Sequence, residues 1–399
     1  MKQHRGALLV LIGAMTALGP LGTDLYLPGL PAVTGDLDTT DSVTQLTLLG
    51  YLLGLGVGQF VWGPVADRLG RRGPLLLGLG IFIVSGIICA ITPSIEVLLT
   101  ARLLQGLSGS AGIVISRAIV RDLYEGRELT RIFGLLAIIF GMAPILGPLI
   151  GAGIMQFAGW RGTFWALAAF GVIFLVMTLL LLPETLSQSH RRPASRWEAW
   201  LAPLGHRVFM TNALLLVASS VVMFGYVSYV PFVLQVERGI DDVSFAWLFA
   251  LNAIAVLVGG QLAGLLARRV PGHTVVRVAY GIAIIATAFV LLAVALDWPD
   301  WALLLALWIM ILQIATIQPT AIALAIEPFA RGAGTASAIL GGMQFLGASI
   351  TTAIVSAVFG SHGEVMATLL LTAVTLAFVI AIVGPMRRPR REPVTGPMP

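Results

Sequence analysis

Charge is what this chain has least of. Only 11% of its 399 residues are Asp, Glu, Lys or Arg, against about 25% in an ordinary soluble domain. Hydrophobic residues make up 58%. A water-soluble chain of this length could not cover its surface with so few polar side chains, so the missing polar surface must face lipid. Lysine is nearly absent, a single Lys2 against 23 Arg, and the one cysteine, Cys89, has no partner for an internal disulfide. Five scattered His and one Cys offer no cluster with metal-ligand spacing. No Gly-x-x-x-x-Gly-Lys-Ser/Thr loop is available to cradle a nucleotide phosphate. These absences argue against ATP-driven work within the chain, against an enzyme built on a metal or a nucleophile–base pair, and against an organic cofactor. The net charge of +5 does not point to nucleic acid, because the arginines stand in short segments between long apolar runs rather than on one face.

Those apolar runs are what the sequence does have. A helix needs about 20 residues to cross the hydrocarbon core of a bilayer. Twelve such spans are expected, at 7–27, 43–66, 74–92, 95–117, 130–156, 162–182, 208–234, 243–267, 274–295, 299–326, 333–359 and 365–385. Lys2 and Arg5 before the first run have the outline of a signal peptide, but that run continues through Pro20 into the polar cluster at 23–28, so it is expected to remain a span. The polar stretch 184–206 divides the chain into a six-helix half at 1–183 and a second at 207–386, followed by a tail at 387–399. The string GPVADRLGRR at 63–72 has a weaker echo about 200 residues later, GLLARRVPG at 264–272, each at the end of the second span of its half. Two related halves about a central loop suit a transporter with a site at the half interface.

Orientation follows from the basic residues. With the N-terminus inside, the inside segments hold 21 of the 24 Lys and Arg, the outside loops hold only Arg161 and Arg238, and Arg102 lies within a span. Acidic residues lean outward. The bias predicts that both termini are cytoplasmic. Trp62, Trp160, Trp165, Trp298 and Trp301 fall near span ends and read as interfacial anchors, and Trp197 with Trp200 suggest an amphipathic stretch on the inner membrane surface.

Four motifs carry the chemistry. The string at 63–72 resembles the loop signature of the major facilitator superfamily, with Val65 and Arg72 as conservative departures. Gly63 and Gly70 are expected to permit close approach and sharp turning. Asp67 is the anion in a loop whose cations are Arg68, Arg71 and Arg72. The resemblance implies that Asp67 meets the N-terminus of span 11, near Gly334 and Thr335, when the cytoplasmic side is closed. A helix N-terminus attracts a carboxylate by about 0.3–1 kcal/mol, a strength suited to a latch that must also open. Arg102, in RLLQGLSGS at 102–110, resembles the family's span-4 Arg-x-x-x-Gly motif. A cation at that depth is costly and marks a functional place, and Gln105 lies one turn on. Asp24 stands in TDLYLP at 23–28, which resembles the span-1 signature of the Bcr/CflA subgroup of drug–proton antiporters, as does VRDLYEG at 120–126. Such a carboxylate is balanced between desolvation, which favours its neutral form, and a nearby guanidinium, which favours the charged one. The second half offers no matching acid at the 200-residue offset, only Gly225 and Tyr226. APILGPLIGA at 143–152 resembles the antiporter motif of span 5, with Ala143 and Ala152 replacing its outer glycines; Gly147, Pro148 and Gly151 are expected to give close packing and a kink.

The resemblance implies a twelve-span, two-half major facilitator fold in the cytoplasmic membrane. It would act as a monomer and export hydrophobic drugs of phenicol or bicyclomycin type in exchange for protons. An exporter of an endogenous metabolite or sugar is the alternative. Asp24 is the expected proton carrier. Asp24, Tyr26, Arg102, Gln105, Tyr226, Tyr229 and Gln313 are expected around the cavity. Asn252, Gln261, Gln318 and Gln344 are lesser candidates. The expected partners are a small hydrophobic molecule, protons and membrane lipid, with no nucleic acid.

Overall fold

The computed structural model describes residues 5–186, 202–329 and 333–386, and all regular structure within them is helical. The first half comprises α1 (Arg5–Asp24), a 3-10 turn (Leu27–Gly29), α2 (Leu30–Asp36), α3 (Asp41–Leu69), α4 (Arg72–Ile91), α5 (Ile95–Leu123) and α6 (Gly126–Leu181). The second half comprises α7 (Arg207–Pro231), a π-helical turn (Phe232–Glu237), α8 (Asp242–Leu266), α9 (Gly272–Ala295), α10 (Asp300–Ile326), α11 (Ala333–Phe359) and α12 (Gly363–Val383). Short polar side chains start several helices by taking up backbone donors that have no partner within the helix. Thr40 accepts from Val43 N, Ser94 from Val97 N, and Asp241 from both Val243 N and Ser244 N.

Eleven helices among the described residues are long and apolar enough to cross a membrane. Twelve crossings were expected, and α6 explains the difference. Its 56 residues would run about 84 Å at 1.5 Å per residue, far beyond a hydrocarbon core of about 30 Å. It leaves helical geometry at Gly159 (φ 61°, ψ −169°), so the fifth and sixth spans are joined end to end without a loop. The chain keeps helical dihedrals through Pro144 and Pro148 and departs from them at Gly159.

Helices α1 and α3–α6 pack among themselves, as do α7–α12, and the halves meet chiefly along α3 against α11 and α6 against α8. Close approach needs small residues. A Cβ on Gly106 would overlap the carbonyl of Tyr51, and one on Gly54 that of Leu103, so these two glycines let the backbones of α3 and α5 touch. The molecule has an arginine-rich face, where α1 begins and the 63–72 turn lies, and an opposite acidic face carrying Asp36, Asp38, Asp41, Asp241, Asp297 and Asp300.

Two expected interfacial anchors are buried. Trp62 donates from Nε1 to the Leu107 carbonyl at 2.7 Å, and Trp160 to Asp36 at 3.2 Å, so both join helices rather than marking a boundary. Trp165 and Trp301 are exposed. Trp197, Trp200, most of the central 184–206 stretch and the 387–399 tail lie outside the described residues.

Candidate functional site

A cavity of about 370 Å³ lies between the halves, within the roughly 300–1,000 Å³ typical of small-molecule sites. Its walls are mainly apolar. Leu52, Leu55 and Ile113 line it from the first half, and Met223, Phe224, Phe249, Val256 and Phe345 from the second. A few polar groups are set into these walls: Asp24, Gln59 and Arg117 on one side, and Tyr226, Asn252, Gln318 and Gln344 on the other. Asp24 Oδ2, Tyr226 OH and Asn252 Nδ2 are buried without a well-formed hydrogen bond among the described residues. Buried polar groups are normally satisfied, and such atoms facing the cavity from both halves mark a place that receives a molecule.

Asp24 is positioned by the end of α1. The chain leaves the helix there and enters the 3-10 turn carrying Pro28. Thr23 Oγ1 donates to the Pro20 carbonyl at 2.6 Å and lies 3.1 Å from Asp24 Oδ1. Helix α6 closes in from the side. A Cβ on Gly147 would stand 2.5 Å from that of Asp24, and one on Gly151 would overlap the Leu25 carbonyl. The 143–152 motif therefore builds the seat of the carboxylate, a role its sequence did not disclose; Ala143 and Ala152 are buried.

Arg102 is fully buried but outside the cavity lining, which corrects its expected place. Its guanidinium lies in a box of rings, 4.2 Å from the centroid of Tyr51, 5.0 Å from Tyr26 and 5.4 Å from Phe164. Its Nη1 donates to Gln105 Oε1 at 2.8 Å, whereas Nε and Nη2 have no hydrogen-bond partner among the described residues. No carboxylate pairs with it among the described residues. Cation–π contact, worth about 2 kcal/mol or more when desolvated, takes the place of a counter-ion. Tyr26 and Gln105 belong to this box rather than to the cavity wall, and Tyr26 OH meets Thr47 Oγ1 at 3.0 Å. Tyr229 and Gln313 also fall outside the lining; Tyr229 OH reaches the Gly360 carbonyl at 3.4 Å. Tyr226, Asn252, Gln318 and Gln344 are on the wall, and Gln261 is exposed elsewhere.

The two faces differ in how the halves meet. On the acidic face, Gln45 of α3 is fully buried. Its Nε2 donates to Ser228 Oγ of α7 at 3.0 Å, and its Oε1 accepts from Ser361 at 2.8 Å and from Ser356 of α11. Ser361 Oγ also approaches Ser42 Oγ at 3.2 Å. One glutamine thus ties the first half to three points of the second. The cavity runs the other way, toward the arginine-rich face, where Arg117, Gln318, Ile322 and Ser337 line it.

On that face the 63–72 segment is held within its own half. Arg71 Nη1 is 2.5 Å from Asp67 Oδ1, and its Nε is 2.9 Å from Asp122 Oδ2. Burial alone would lower the Arg71 pKa, but hydrogen bonds to Asp122 and Asp67 outweigh it and leave the pKa above its ordinary value. Glu184, after α6, accepts from Arg71 N at 2.8 Å and from Arg72 N at 3.3 Å at the start of α4. In this form Asp67 is turned to Arg71; the side chains at 331–334 lie outside the described residues. Gly70 takes φ 95°, a backbone conformation that favours glycine, where a sharp turn is expected. Gly63 sits inside α3 with only Val114 Cγ1 at 4.0 Å from its ideal Cβ, so the close approach expected there is absent. Arg68 is exposed.

Sequence reasoning missed Arg117, Gln59, Ser220 and Ser337. Arg117 was placed at the end of a span and counted with the loop, yet α5 runs on to Leu123 and carries it on the cavity wall. Gln59 was a visible signal, an amide in the middle of an apolar run.

The sequence profile of the Major Facilitator Superfamily matches residues 12–352. An uncharacterized MFS-type transporter of Bacillus subtilis, YdgK, is 37% identical over 358 residues, covering 88% of this chain and 89% of that protein. A protein of Pseudomonas aeruginosa named chloramphenicol resistance protein is 36% identical over 358 residues, covering 88% and 84%. Among solved structures, the inward open conformation of the xylose transporter XylE from E. coli superposes with a TM-score of 0.73 at 15% identity, covering 93% of this chain and 95% of that one. That likeness speaks for the fold alone.

Proposed function

The chain belongs to the Major Facilitator Superfamily, and we propose that it is a multi-pass membrane transporter exporting hydrophobic antibiotics, phenicol- or bicyclomycin-like, in exchange for protons. The observation that carries this reading is the cavity between the halves. It is apolar-walled, of drug-molecule size, and holds one carboxyl with an unpartnered oxygen. The relative named chloramphenicol resistance protein supports the substrate class, and the TDLYLP and VRDLYEG strings support placement in the Bcr/CflA branch. A sugar would need hydrogen bonds on most of its surface, and these walls offer few, so the metabolite or sugar exporter stands as the weaker reading.

The positive-inside bias puts the arginine-rich face and both termini in the cytoplasm. The structure is then an inward-facing form, with the outside shut by the Gln45 cluster and the cavity reached from the cytoplasm or the inner leaflet. Asp24 carries a proton into this form. A substrate hydroxyl or amine that donates to Oδ2 favours the charged carboxylate, so binding releases the proton inward. The halves then rock about the cavity, substrate leaves outward, and Asp24 takes a new proton there. Arg102 stays protonated and therefore does not carry it. The whole path lies within one chain, so a monomer suffices, and its partners are substrate, protons and lipid.

The test is drug tolerance of an efflux-deficient bacterial host expressing the chain. Tolerance to chloramphenicol should rise several-fold over the empty host, and an uncoupler should restore drug accumulation. Unchanged tolerance with the protein present in the membrane would contradict the reading.

A further inference from the structure

Among the described residues, Arg117 is the one charged group of the cavity lining that the export cycle does not use. It stands fifteen positions after Arg102 on α5, about 22 Å further toward the arginine-rich face at 1.5 Å per residue. It lines the cavity, and the residue is more than a third exposed. The other arginines of partly buried loops and helix ends are engaged. Arg71 holds Asp67 and Asp122, Arg238 holds Asp300 at 2.8 Å, and Arg277 donates to the Ala381 carbonyl at 2.8 Å. Arg117 has no such partner among the described residues. The nearest acid in sequence, Asp122, is committed elsewhere, since it accepts from Arg71 and Thr185. Asp24 is the one acid on the described cavity wall, and it lies at the acidic-face end of α1.

An arginine is charged at any physiological pH and offers five donors in a planar fork. A fixed charge between low-dielectric walls focuses its field on whatever enters, and Arg121, one turn on, adds charge of the same sign. We propose that Arg117 is the specificity-determining anchor of this cavity, binding the electron-rich end of the substrate: a nitro, carboxylate or enolate group on an otherwise apolar body. Between compounds alike elsewhere, the cavity accordingly prefers the one carrying such a group to one carrying a cation in its place. This rests on the drug-export reading and deepens it.

The test compares chloramphenicol with its analogue in which the aryl nitro group is reduced to an amine, a pair differing only at the proposed acceptor. Binding of each to purified protein is measured by titration calorimetry for wild type, Arg117→Gln and Arg117→Lys. Wild type should bind the nitro compound about tenfold tighter, Arg117→Gln should bind the two alike, and Arg117→Lys should keep part of the preference. Because Arg117 makes no hydrogen bond or ion pair among the described residues that its replacement would break, the variants should run as wild type on size exclusion. A preference of wild-type size in Arg117→Gln, or no preference in wild type, overturns the assignment while leaving drug export standing. Wild-type protein that binds neither compound overturns both.

Discussion

At the scale of single residues, Gly151 sets how near α6 can come to the end of α1. A methyl group there would overlap the Leu25 carbonyl, a backbone atom that cannot swing aside. Overpacking of this kind costs about 1–3 kcal/mol. Gly151→Ala is therefore expected to lower the midpoint of thermal unfolding in detergent and to impair export, although alanine is the better helix former. Gly153, two residues on, has nothing within 4 Å of its ideal Cβ, so Gly153→Ala should leave the midpoint unchanged or raise it. Equal midpoints for the two variants would refute this account of the motif. The residue scale is also where sequence and structure part most clearly. Asp24 was legible as the one acid placed inside a span. Arg102 was legible as a buried cation, but not its ring box, because Tyr26, Tyr51 and Phe164 come from three separate segments. Arg117 was illegible because a cation near a span end looks the same whether it faces cytoplasm or cavity.

At the scale of elements, the joined α6 and the acidic-face closure were both hidden. A span pair without a loop differs from a span pair with a short one only in the dihedrals of Gly159. The closure depends on Gln45, Ser228, Ser356 and Ser361, four ordinary residues spread over more than 300 positions. Three hydrogen bonds converge on the Gln45 amide, each worth about 0.5–1.5 kcal/mol net. Their loss should move the balance between inward- and outward-facing forms by an order of magnitude or more. Gln45→Leu is expected to open the acidic face. Spin labels at Thr39→Cys and Glu364→Cys, in a chain whose buried Cys89 is replaced by Ala, should report a population at longer distance that wild type lacks. An unchanged distance distribution would show that helix packing alone keeps this face shut.

At the scale of the whole molecule, composition and span count made the fold legible, because a bilayer leaves a chain so poor in charge few ways to satisfy its backbone. The pairing of α3 with α11 and α6 with α8 was not, since apolar helices carry no partner code in their periodicity. Alternating access through this frame needs a group that exchanges a proton with each side in turn, the part proposed for Asp24. Substrate-induced proton release from purified protein in weakly buffered detergent measures that exchange. Wild type should release protons as chloramphenicol is added, in step with saturation of the cavity. Asp24→Asn, which keeps the size of the side chain but has no proton to exchange, should bind drug and release none. Release from the Asn variant equal to that of wild type would contradict the account and move the coupling site elsewhere, with Asp67, Asp122 and Glu327 near the arginine-rich face the next to be tested.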